Sequence, residues 1–375
     1  MTAPSFLTAS EIKQFRTELL NWFATYQRNL PWRRDRDPYR IWISEIMLQQ
    51  TRVAAVIPYF EKFCARFPDV RALAAADEAE VLRMWSGLGY YSRARNLQAA
   101  AQQIVRDHGG TFPTTEEHIR ALRGIGQYTT NAILSIAFGK NHAVVEGNVA
   151  RVVARLEAIR GDLREGSRWE SLQRTADRLL APGSPGNWNQ AMMELGATIC
   201  TPRSPQCLLC PVAKFCRARK LGLQELIPEK RKKRATVGVQ LVAAVLIDDR
   251  GRCILLAPPK QGAEKPLADD IPTLVSKMWH FPTILVCEDP ANDLHGYLKN
   301  VVGAKALPSR FMPLRKIRHA VTYRAISLLP FLVKFKKLPR VAGARVILLK
   351  DFSSVPVSNL TRKVARAALD AADYS

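Results

Sequence analysis

Four cysteines lie close together just past the midpoint of the chain, with the spacing C-x6-C-x2-C-x5-C. They are Cys200, Cys207, Cys210 and Cys216. Four thiolates within seventeen positions can surround one metal centre, so four free thiols are a poor alternative. Zinc is the chemical alternative, but its usual four-cysteine pattern is two C-x2-C pairs, which this segment does not have. The unequal gaps therefore favour an iron–sulfur cubane.

A carboxylate lies within an apolar stretch near the N-terminus, where Glu45 has Ile43, Ile46 and Met47 as neighbours. Such neighbours remove a carboxyl group from water, which raises its pKa and keeps it protonated as an acid. A positioned acid of this kind can protonate a leaving group. The alternative is a glutamate on the polar face of an amphipathic helix, which is in general the commoner case.

Two glycines, Gly124 and Gly126, form a turn between predicted helices in the segment Leu122-Arg123-Gly124-Ile125-Gly126. Glycines at this spacing let a backbone approach a phosphate, and amides at the start of the next helix point at the anion. Alone the pattern is weak evidence, because any tight helix–helix turn can contain it. With the cysteines about eighty residues later, it becomes strong evidence for a site that binds a nucleic-acid backbone.

The charge balance supports a polyanionic partner. Lys and Arg number 56 against 33 Asp and Glu, which gives a net charge of +23 at pH 7. Residues 1–234 carry a net +13 and residues 235–375 a net +10, so both parts of the chain are basic. Phosphates neutralised by such residues release counterions, which yields affinity. The alternative is a soluble protein that merely has a high pI.

The N-terminal segment and the cysteines indicate the cellular compartment of the protein. Residues 1–14 show no apolar core behind a basic leader, which predicts no secretory signal. No stretch approaches the roughly 20 apolar residues that span a bilayer, so we expect no membrane partner. Clustered cysteines are typical of metal ligation in a reducing compartment. We therefore predict a cytoplasmic protein, associated with the nucleoid if it is bacterial.

The elements that must position these residues are helices over residues 8–222, with short Gly and Pro turns between them. Ser10 is predicted as the N-cap of the first helix. The helices are predicted over Glu11–Tyr26, Ile41–Phe60, Asp77–Trp85 and Ser92–Asp107. This pattern predicts a mainly α domain.

The sequence pattern changes after residue 222. Five basic residues, Lys230–Arg234, follow a proline and predict a linker over residues 223–235. Beyond the linker, β-branched segments around a turn at residues 249–251 predict a small α+β domain over 236–350, with a helical tail in 351–375. The predicted strands are Val237–Asp248, Cys253–Ala257, Ser327–Val333 and Arg345–Leu349, and the predicted helix of the tail is Leu360–Ala372.

The cysteine spacing, after a helical domain with a Leu-Arg-Gly-Ile-Gly turn, resembles endonuclease III and its adenine glycosylase relatives, the MutY family. The resemblance covers about residues 1–222 strongly and continues more weakly to about 350. It implies a helix-hairpin-helix DNA glycosylase domain followed by a Nudix-like domain. It also implies a [4Fe–4S] cluster that shapes a DNA-contacting loop and does not perform the excision. The basic residues Arg203, Lys214, Arg217 and Arg219 beside the cysteines suit phosphate contact.

The same resemblance implies roles for single residues. The segment Ile41–Thr51 matches the adenine glycosylase signature, so Glu45 would be the acid that protonates the leaving base. A base inside a duplex must be extruded before its glycosidic bond is cleaved. The residues that would probe or wedge the base stack are Gln50, Leu88 and Tyr90, and those that would line the adenine pocket are Trp32, Arg33 and Gln190. Trp32 could equally belong to the core.

Position 128 distinguishes two classes of glycosylase within this superfamily. Bifunctional relatives have a lysine there, whose amine forms a Schiff base with the sugar and cuts the strand. This chain has Tyr128, directly after Gly126-Gln127, and so has no amine at that point. We therefore predict a monofunctional glycosylase with Tyr128 in its catalytic site, which leaves an abasic site and has no strong lyase activity.

A second carboxylate departs from the family pattern. The family motif ends Asp-Gly-Asn-Val, whereas this chain has Glu146-Gly147-Asn148-Val149. Glu146 keeps the charge but adds a methylene at a predicted helix N-cap, where Asp is preferred. Roughly 1 Å of misplacement at a reacting centre can cost about a hundredfold in rate. We expect Glu146 to stabilise the oxocarbenium-like sugar and Asn148 to hold the polar network, and a poorly active protein is the alternative.

The predicted second domain also departs from the family. Relatives recognise 8-oxoguanine with a loop that runs His-x-Phe-Ser-His, and this chain has Arg-His-Ala-Val-Thr-Tyr-Arg over residues 318–324. Thr322 could replace the serine hydroxyl, but Val321 and Tyr323 break the pattern. The Glu-rich helix of true Nudix hydrolases is absent from the sequence, so we expect no nucleotide pyrophosphatase activity.

Taken together, these features predict a monomeric base excision repair enzyme. It would hydrolyse the bond between adenine and deoxyribose in double-stranded DNA that contains A:8-oxoguanine or A:G mismatches. Two alternatives stay open. One is a related glycosylase with an altered opposite-base preference, and the other is a catalytically weak DNA protein that binds lesions without excising a base.

Overall fold

The structure is a computed structural model that describes residues 7–229, 235–257, 278–303, 307–308, 310–321, 323–352 and 355–372. The chain forms two compact units. The first comprises the described residues of Met1–Ala76 and Ser92–Lys232, and the second those of Asp77–Tyr91 and Lys233–Ser375. The basic run of the predicted linker, Lys230–Arg234, and Thr322 lie outside the described residues.

The first unit is helical, which confirms the predicted mainly α domain. Buried Phe15, Leu19, Val153, Leu172 and Trp188 belong to one hydrophobic core of this unit. Two short 3-10 helices lie at Pro31–Arg33 and Ala213–Phe215. The α-helices of the first unit are α1 (Ala9–Tyr26), α2 (Pro38–Leu48), α3 (Val53–Arg66), α4 (Val70–Ala75), α6 (Ser92–His108), α7 (Glu116–Arg120), α8 (Gln127–Ile136), α9 (Gly147–Glu157), α10 (Gly166–Leu179), α11 (Pro185–Thr198) and α12 (Arg217–Lys220), and α5 (Glu78–Met84) belongs to the second unit.

Two predictions about helix boundaries are wrong. Helix α1 is capped by Thr8 and not by Ser10, because Thr8 Oγ1 accepts from the Glu11 amide at 3.2 Å while the Glu11 carboxylate accepts from the Thr8 amide at 2.8 Å. The segment predicted as one helix over Ile41–Phe60 forms two, α2 and α3. Gln50 lies between them with φ 58°, a left-handed conformation that interrupts the helix.

Helix α2 carries the predicted acid, and its sequence explains its burial. Asp37 caps the helix by accepting from the Tyr39 amide at 2.9 Å, and Pro38 occupies the first turn, where its missing N–H has no consequence. Every residue from Ile41 to Met47 is buried, Glu45 included. The alternative of a glutamate on a solvated helix face is therefore excluded.

The second unit contains a sheet, which confirms the predicted α+β class of the C-terminal part. Within the described residues its strand order is β4-β6-β1-β2-β7, with β3 on β1 and β5 on β6. The two long strands β1 and β6 run parallel, from Val237 opposite Arg324 to Asp248 opposite Phe335. The strands are β1 (Val237–Asp248), β2 (Arg252–Leu256), β3 (Thr283–Leu285), β4 (Met312–Pro313), β5 (Ile317–Val321), β6 (Arg324–Phe335) and β7 (Ala344–Leu348).

Helices complete the second unit. Helix α13 (Pro290–Val302) and helix α14 (Asn359–Ala372) contribute buried side chains to two cores of this unit. The segment that contains α5 also belongs to it. The Tyr91 hydroxyl donates to the Val357 carbonyl at 3.2 Å, and Arg362 Nη2 donates to Ser86 Oγ at 2.7 Å. Within the described ranges, no helix combines the length and the apolar character needed to cross a membrane.

Candidate active site and cysteine cluster

A cavity of about 460 Å³ lies in the first unit and brings together residues from distant parts of the sequence. Its wall is formed by short 3-10 and α-helical segments, by the break after α2, and by helices α8, α9 and α11. The predicted site residues that line it are Trp32, Arg33, Glu45, Gln50, Tyr128, Glu146, Asn148 and Gln190. Eight residues predicted from sequence therefore share one concave site, although their roles stay predictions.

Glu45 and Tyr128 form a hydrogen-bonded pair in this wall. The Tyr128 hydroxyl donates a short hydrogen bond to Glu45 Oε2, and Met193 Sδ lies 3.8 Å from the same hydroxyl. Burial raises the pKa of Glu45 to about 7, and the nearby Glu146 charge acts in the same direction against the Tyr128 hydrogen bond and Arg33. Burial also raises the pKa of Tyr128 well above its usual value, so its hydroxyl keeps its proton. Glu45 can therefore hold a proton at neutral pH.

Glu146 caps helix α9, as its position in the sequence predicts. Its Oε1 accepts from the Val149 amide at 3.0 Å, so the longer side chain performs the capping that the family motif assigns to aspartate. The next turn is fixed by Arg151, whose Nη2 donates to Asn148 Oδ1 at 2.8 Å. Arg151 also donates through Nε to the Cys200 carbonyl at 2.8 Å. One buried guanidinium thus joins the polar network beside Glu146 to the cysteine loop.

Another part of the cavity wall is built around a buried carboxylate, Glu194. Arg28 Nε and Nη2 donate to Glu194 at 2.6 and 2.9 Å, and Arg33 Nη2 donates at 2.9 Å. Arg33 Nε also donates to Gln190 Oε1 at 3.1 Å. Although burial raises the pKa of Glu194, the hydrogen bonds and charges of the two arginines outweigh it and hold that pKa below its ordinary value. The cavity therefore contains a glutamate that can hold a proton at neutral pH, Glu45, and an ionised one, Glu194.

Three of these residues were missed from the sequence: Arg28, Arg151 and Glu194. Glu194 follows Gln190 by four positions in α11, so helical spacing places both on one face and could have indicated it. Arg151 likewise follows Asn148 by three positions in α9. Arg28 lies in an irregular segment, and no pattern in the sequence points to it.

Trp32 is both a core residue and part of the cavity wall. Its side chain is buried and its ring packs edge-on against Phe60, with ring centroids 5.4 Å apart. The structure therefore places Trp32 in the core and in the cavity wall, and its role in an adenine pocket stays a prediction.

Gly196 in α11 lets the polar network pack closely. A Cβ at this position would lie 2.7 Å from the Asn148 Cβ, nearer than real Cβ atoms approach one another. We expect Gly196→Ala to lower the free energy of unfolding by about 1–3 kcal/mol and to displace Asn148. Gly166→Ala is the matched control, since a Cβ there meets nothing within 4 Å. Equal melting temperatures for the two variants would contradict this packing argument.

The four cysteines line a second, smaller cavity together with Arg155, Arg219 and Gln224. In the described part of the chain, no group of three or more His, Cys, Asp or Glu side chains is arranged to hold a single metal ion. Arg155 Nη1 donates to Cys200 Sγ at 3.2 Å. Its Nη2 is buried and has no hydrogen-bond partner among the described residues. The sulfur-rich surface of a cluster would supply that acceptor, so these residues fit an iron–sulfur group.

The predicted phosphate-binding hairpin has the expected geometry. Gly124 has φ 80°, and a Cβ there would lie 2.7 Å from the Asn96 Cβ, so this position requires glycine. Gly126 is the N-cap of α8 and provides no side-chain cap. The first amides of α8 are therefore left for an anion.

The predicted wedge residues Leu88 and Tyr90 belong to the second unit. Leu88 is buried, whereas Tyr90 is 42 % exposed and has φ 48°. The left-handed backbone at Tyr90 is uncommon outside glycine, and such residues concentrate at functional sites. The ring of Tyr90 is therefore accessible, the side chain of Leu88 is not, and the wedge roles of both residues stay predictions.

The fold and the two sites define a helix-hairpin-helix protein with a cysteine-cluster loop. Residues 43–177 match the family model described as the HhH-GPD superfamily base excision DNA repair protein. Residues 200–216 match the iron-sulfur binding domain of endonuclease III. The structure of a thermostable thymine-DNA glycosylase is 30% identical with a TM-score of 0.52, covering 56% of this chain and 98% of that one. A non-covalent endonuclease III–DNA complex, 24% identical, has the same fold, with a TM-score of 0.50 and coverage of 58% and 99%.

Curated relatives narrow the class. The adenine DNA glycosylase of Homo sapiens is 43% identical over 265 residues, 68% of this chain and 48% of that protein. The adenine DNA glycosylase of Arabidopsis thaliana is 34% identical over 334 residues, 77% of this chain and 51% of that protein. The chain thus spans about half the length of these curated relatives. It belongs to the HhH-GPD superfamily of base excision DNA repair proteins and, within it, to the MutY-like adenine DNA glycosylase family. The match over residues 200–216, the segment that contains the four cysteines, confirms the predicted iron–sulfur cluster. The four cysteines as its ligands stay a prediction.

Proposed function

We propose that the protein is a monofunctional adenine DNA glycosylase, which hydrolyses the N-glycosidic bond of adenine opposite 8-oxoguanine or guanine in duplex DNA. The observation that carries this proposal is the buried Glu45, whose pKa is raised to about 7, in a cavity that also holds Glu146. A protonated acid and a separate anion are the two groups that cleavage of a glycosidic bond through an oxocarbenium-like state requires.

The reaction follows from these positions. Glu45 gives its proton to a ring nitrogen of the extruded adenine while the bond between the sugar carbon and the base breaks, and the electron pair stays on the base. The Glu146 carboxylate stabilises the positive charge that develops on the sugar. Water then adds to the sugar carbon and its released proton restores Glu45. The Tyr128 hydroxyl orients Glu45 through their hydrogen bond.

The absence of an amine at position 128 supports the monofunctional assignment. A Schiff base needs a lysine or an N-terminal amine within reach of the sugar carbon. Position 128 holds a tyrosine hydroxyl already engaged with Glu45, and no lysine contributes to the described wall of the cavity. The product would therefore be an intact strand with an abasic site.

The side of the cavity around Glu194 supports a purine with an exocyclic amino group. Glu194 is an ionised acceptor, Arg33 is a donor, and Gln190 can serve as either. Adenine presents an amino donor and ring-nitrogen acceptors, which match this set. A keto group in place of the amino group would face the Glu194 carboxylate with a second acceptor.

Three finer features belong to the same proposal. Duplex DNA with A:8-oxoguanine or A:G pairs would be the partner of a monomer, and the net charge of +23 supports a DNA partner. The second unit would contact the base opposite adenine, as a Nudix-like domain does in the family. The cysteine cluster suits a reducing compartment, which supports a cytoplasmic location.

The test uses a duplex with a single A:8-oxoguanine pair, repeated with G, C and T opposite adenine. Breaks at adenine that appear only after alkali treatment, strongest opposite 8-oxoguanine and G, are expected. Breaks at another base would support a glycosylase with a different target. Tight binding with no breaks would leave a lesion-binding protein, and breaks without alkali would contradict the monofunctional assignment.

The pH dependence of excision is a second expected result. Glu45 acts in its protonated form, so the single-turnover rate should be highest below the raised pKa of about 7 and should fall as the pH rises through it. Duplex binding measured at each pH separates this titration from loss of substrate. A rate that rises across the same interval would show that Glu45 is needed as a base.

A further inference from the structure

The C-terminal end of α2 is held by a single side chain from another helix. Arg93, in the first turn of α6, donates through Nη1 to the carbonyls of Ile46, Met47 and Gln49 at 2.7, 3.1 and 2.6 Å. Its Nη2 donates to Thr51 Oγ1 at 3.3 Å. The last carbonyls of a helix have no partner within the helix, and a cation there also meets the negative end of the helix dipole. Arg93 thus joins the helix end to the loop that follows it.

The loop that Arg93 holds contains the predicted wedge residue Gln50. Gln50 has φ 58° and is exposed at the rim of the cavity. Its two neighbours, Gln49 and Thr51, both accept hydrogen bonds from Arg93. A glutamine keeps a left-handed backbone only when its surroundings enforce it. The two flanking hydrogen bonds supply that constraint.

The hydrogen bonds of Arg93 also bear on the position of the acid, Glu45. Ile46, whose carbonyl accepts the 2.7 Å hydrogen bond, directly follows Glu45 in α2. Fixing the last turn of α2 therefore fixes the axis and the rotation of the helix at Glu45. A planar guanidinium can serve several acceptors at once, whereas the ammonium of lysine is a single point donor.

We propose that Arg93 is a positioning residue, which holds Gln50 in its exposed left-handed conformation and sets the end of the helix that carries Glu45. This inference rests on the proposed function. Arg93 acts on the reaction through the loop at residues 49–51 and not by touching the extruded base. We expect the loss of Arg93 to impair extrusion of the base, the step that precedes bond cleavage.

A double-mutant cycle tests the proposal on the full-length protein. We expect Arg93→Gln to lower single-turnover excision about tenfold to a hundredfold, and Arg93→Lys to recover part of the loss. In a Gln50→Ala background, Arg93→Gln should lower the rate by a clearly smaller factor, because residues that act as one unit are not additive. Fully additive effects of the two substitutions would overturn the proposal.

A second measurement follows extrusion without excision. A duplex with 2-aminopurine next to the target adenine reports loss of stacking as a rise in fluorescence, and Arg93→Gln should reduce that rise. If wild-type protein gives the rise but excises no adenine, the proposed function fails while the role of Arg93 can still be judged. An unchanged rise with Arg93→Gln overturns the inference.

The control separates a clamp from a simple phosphate contact. Arg106→Gln removes a cation from the other end of α6, where Arg106 is exposed and pairs with Asp107 at 2.7 Å. It should leave both the excision rate and the fluorescence rise unchanged. If Arg93→Gln instead weakens binding to every duplex alike and reduces the salt slope by about one, Arg93 is a phosphate contact and the proposal is wrong.

Discussion

Glu45→Gln should abolish adenine excision while leaving the fold and DNA binding intact. The substitution keeps the size of the side chain and a hydrogen-bonding group for the Tyr128 hydroxyl, but it removes the proton that the leaving base must receive. Loss of a general acid costs about 10²–10⁴-fold in rate. Because the buried glutamate is replaced by a neutral amide, stability should change little or rise. Single-turnover excision of adenine opposite 8-oxoguanine measures the loss.

Glu61→Gln is the matched control for Glu45→Gln. Glu61 is exposed on α3, which is the helix that follows the break after α2. It does not line the cavity. This variant should excise adenine at the wild-type rate. Both variants should bind a mismatched duplex with wild-type affinity, and Glu61→Gln should keep the wild-type free energy of unfolding within about 0.5 kcal/mol. A Glu45→Gln protein that folds, binds and still excises adenine at more than a tenth of the wild-type rate would remove Glu45 from the mechanism.

Much of this site could be predicted because its residues carry local signals. Glu45 is an acid between isoleucines and a methionine, the four cysteines repeat at ligand spacing, and Gly124 and Gly126 mark a turn. Each signal depends on a few neighbouring positions. The strands Val237–Asp248 and Arg345–Leu349 were also recognisable, since both are mainly apolar with several β-branched residues, and they match β1 and β7 within one residue at each end.

The rest depends on contacts between distant segments. Arg28 reaches Glu194 across 166 positions and Arg93 reaches Ile46 across 47, and no local pattern encodes either pair. The break at Gln50 was missed because the apolar spacing continues from α2 into α3, so periodicity alone predicts one helix. The segment around α5 was assigned to the helical domain on the same ground, although its contacts place it in the second unit.

Hydrogen bonds beside Glu146 connect the active-site cavity to the cysteine loop. Asn148 lies two residues after Glu146, and Arg151 ties it to the Cys200 carbonyl and to the Gly196 carbonyl. The cysteine loop can therefore set the position of the helix that Glu146 caps without taking part in the reaction. Glu146 itself is the departure from the family motif, so its substitutions are the most informative ones in this helix.

Glu146→Gln should lower excision by about 10²–10³-fold, because one preorganised charge that faces the developing cation is removed. The amide oxygen of glutamine can still accept from the Val149 amide, so the cap of α9 and the melting temperature should be retained. Glu146→Ala is the companion variant: it should lose a similar factor in rate and, in addition, about 1 kcal/mol of stability through loss of the cap. Wild-type excision by Glu146→Gln would show that this carboxylate is only a helix cap.

Glu146→Asp then decides whether the extra methylene is an adaptation. Aspartate is a good N-cap, so the variant should fold as stably as the wild type. Its carboxylate, however, would withdraw from a cavity whose other residues are positioned around glutamate, and roughly 1 Å at a reacting centre can cost about a hundredfold. We therefore expect slower excision, by about tenfold or more, with unchanged duplex binding. A large rise in the single-turnover rate would instead mean that Glu146 impairs this enzyme and that the family aspartate restores it.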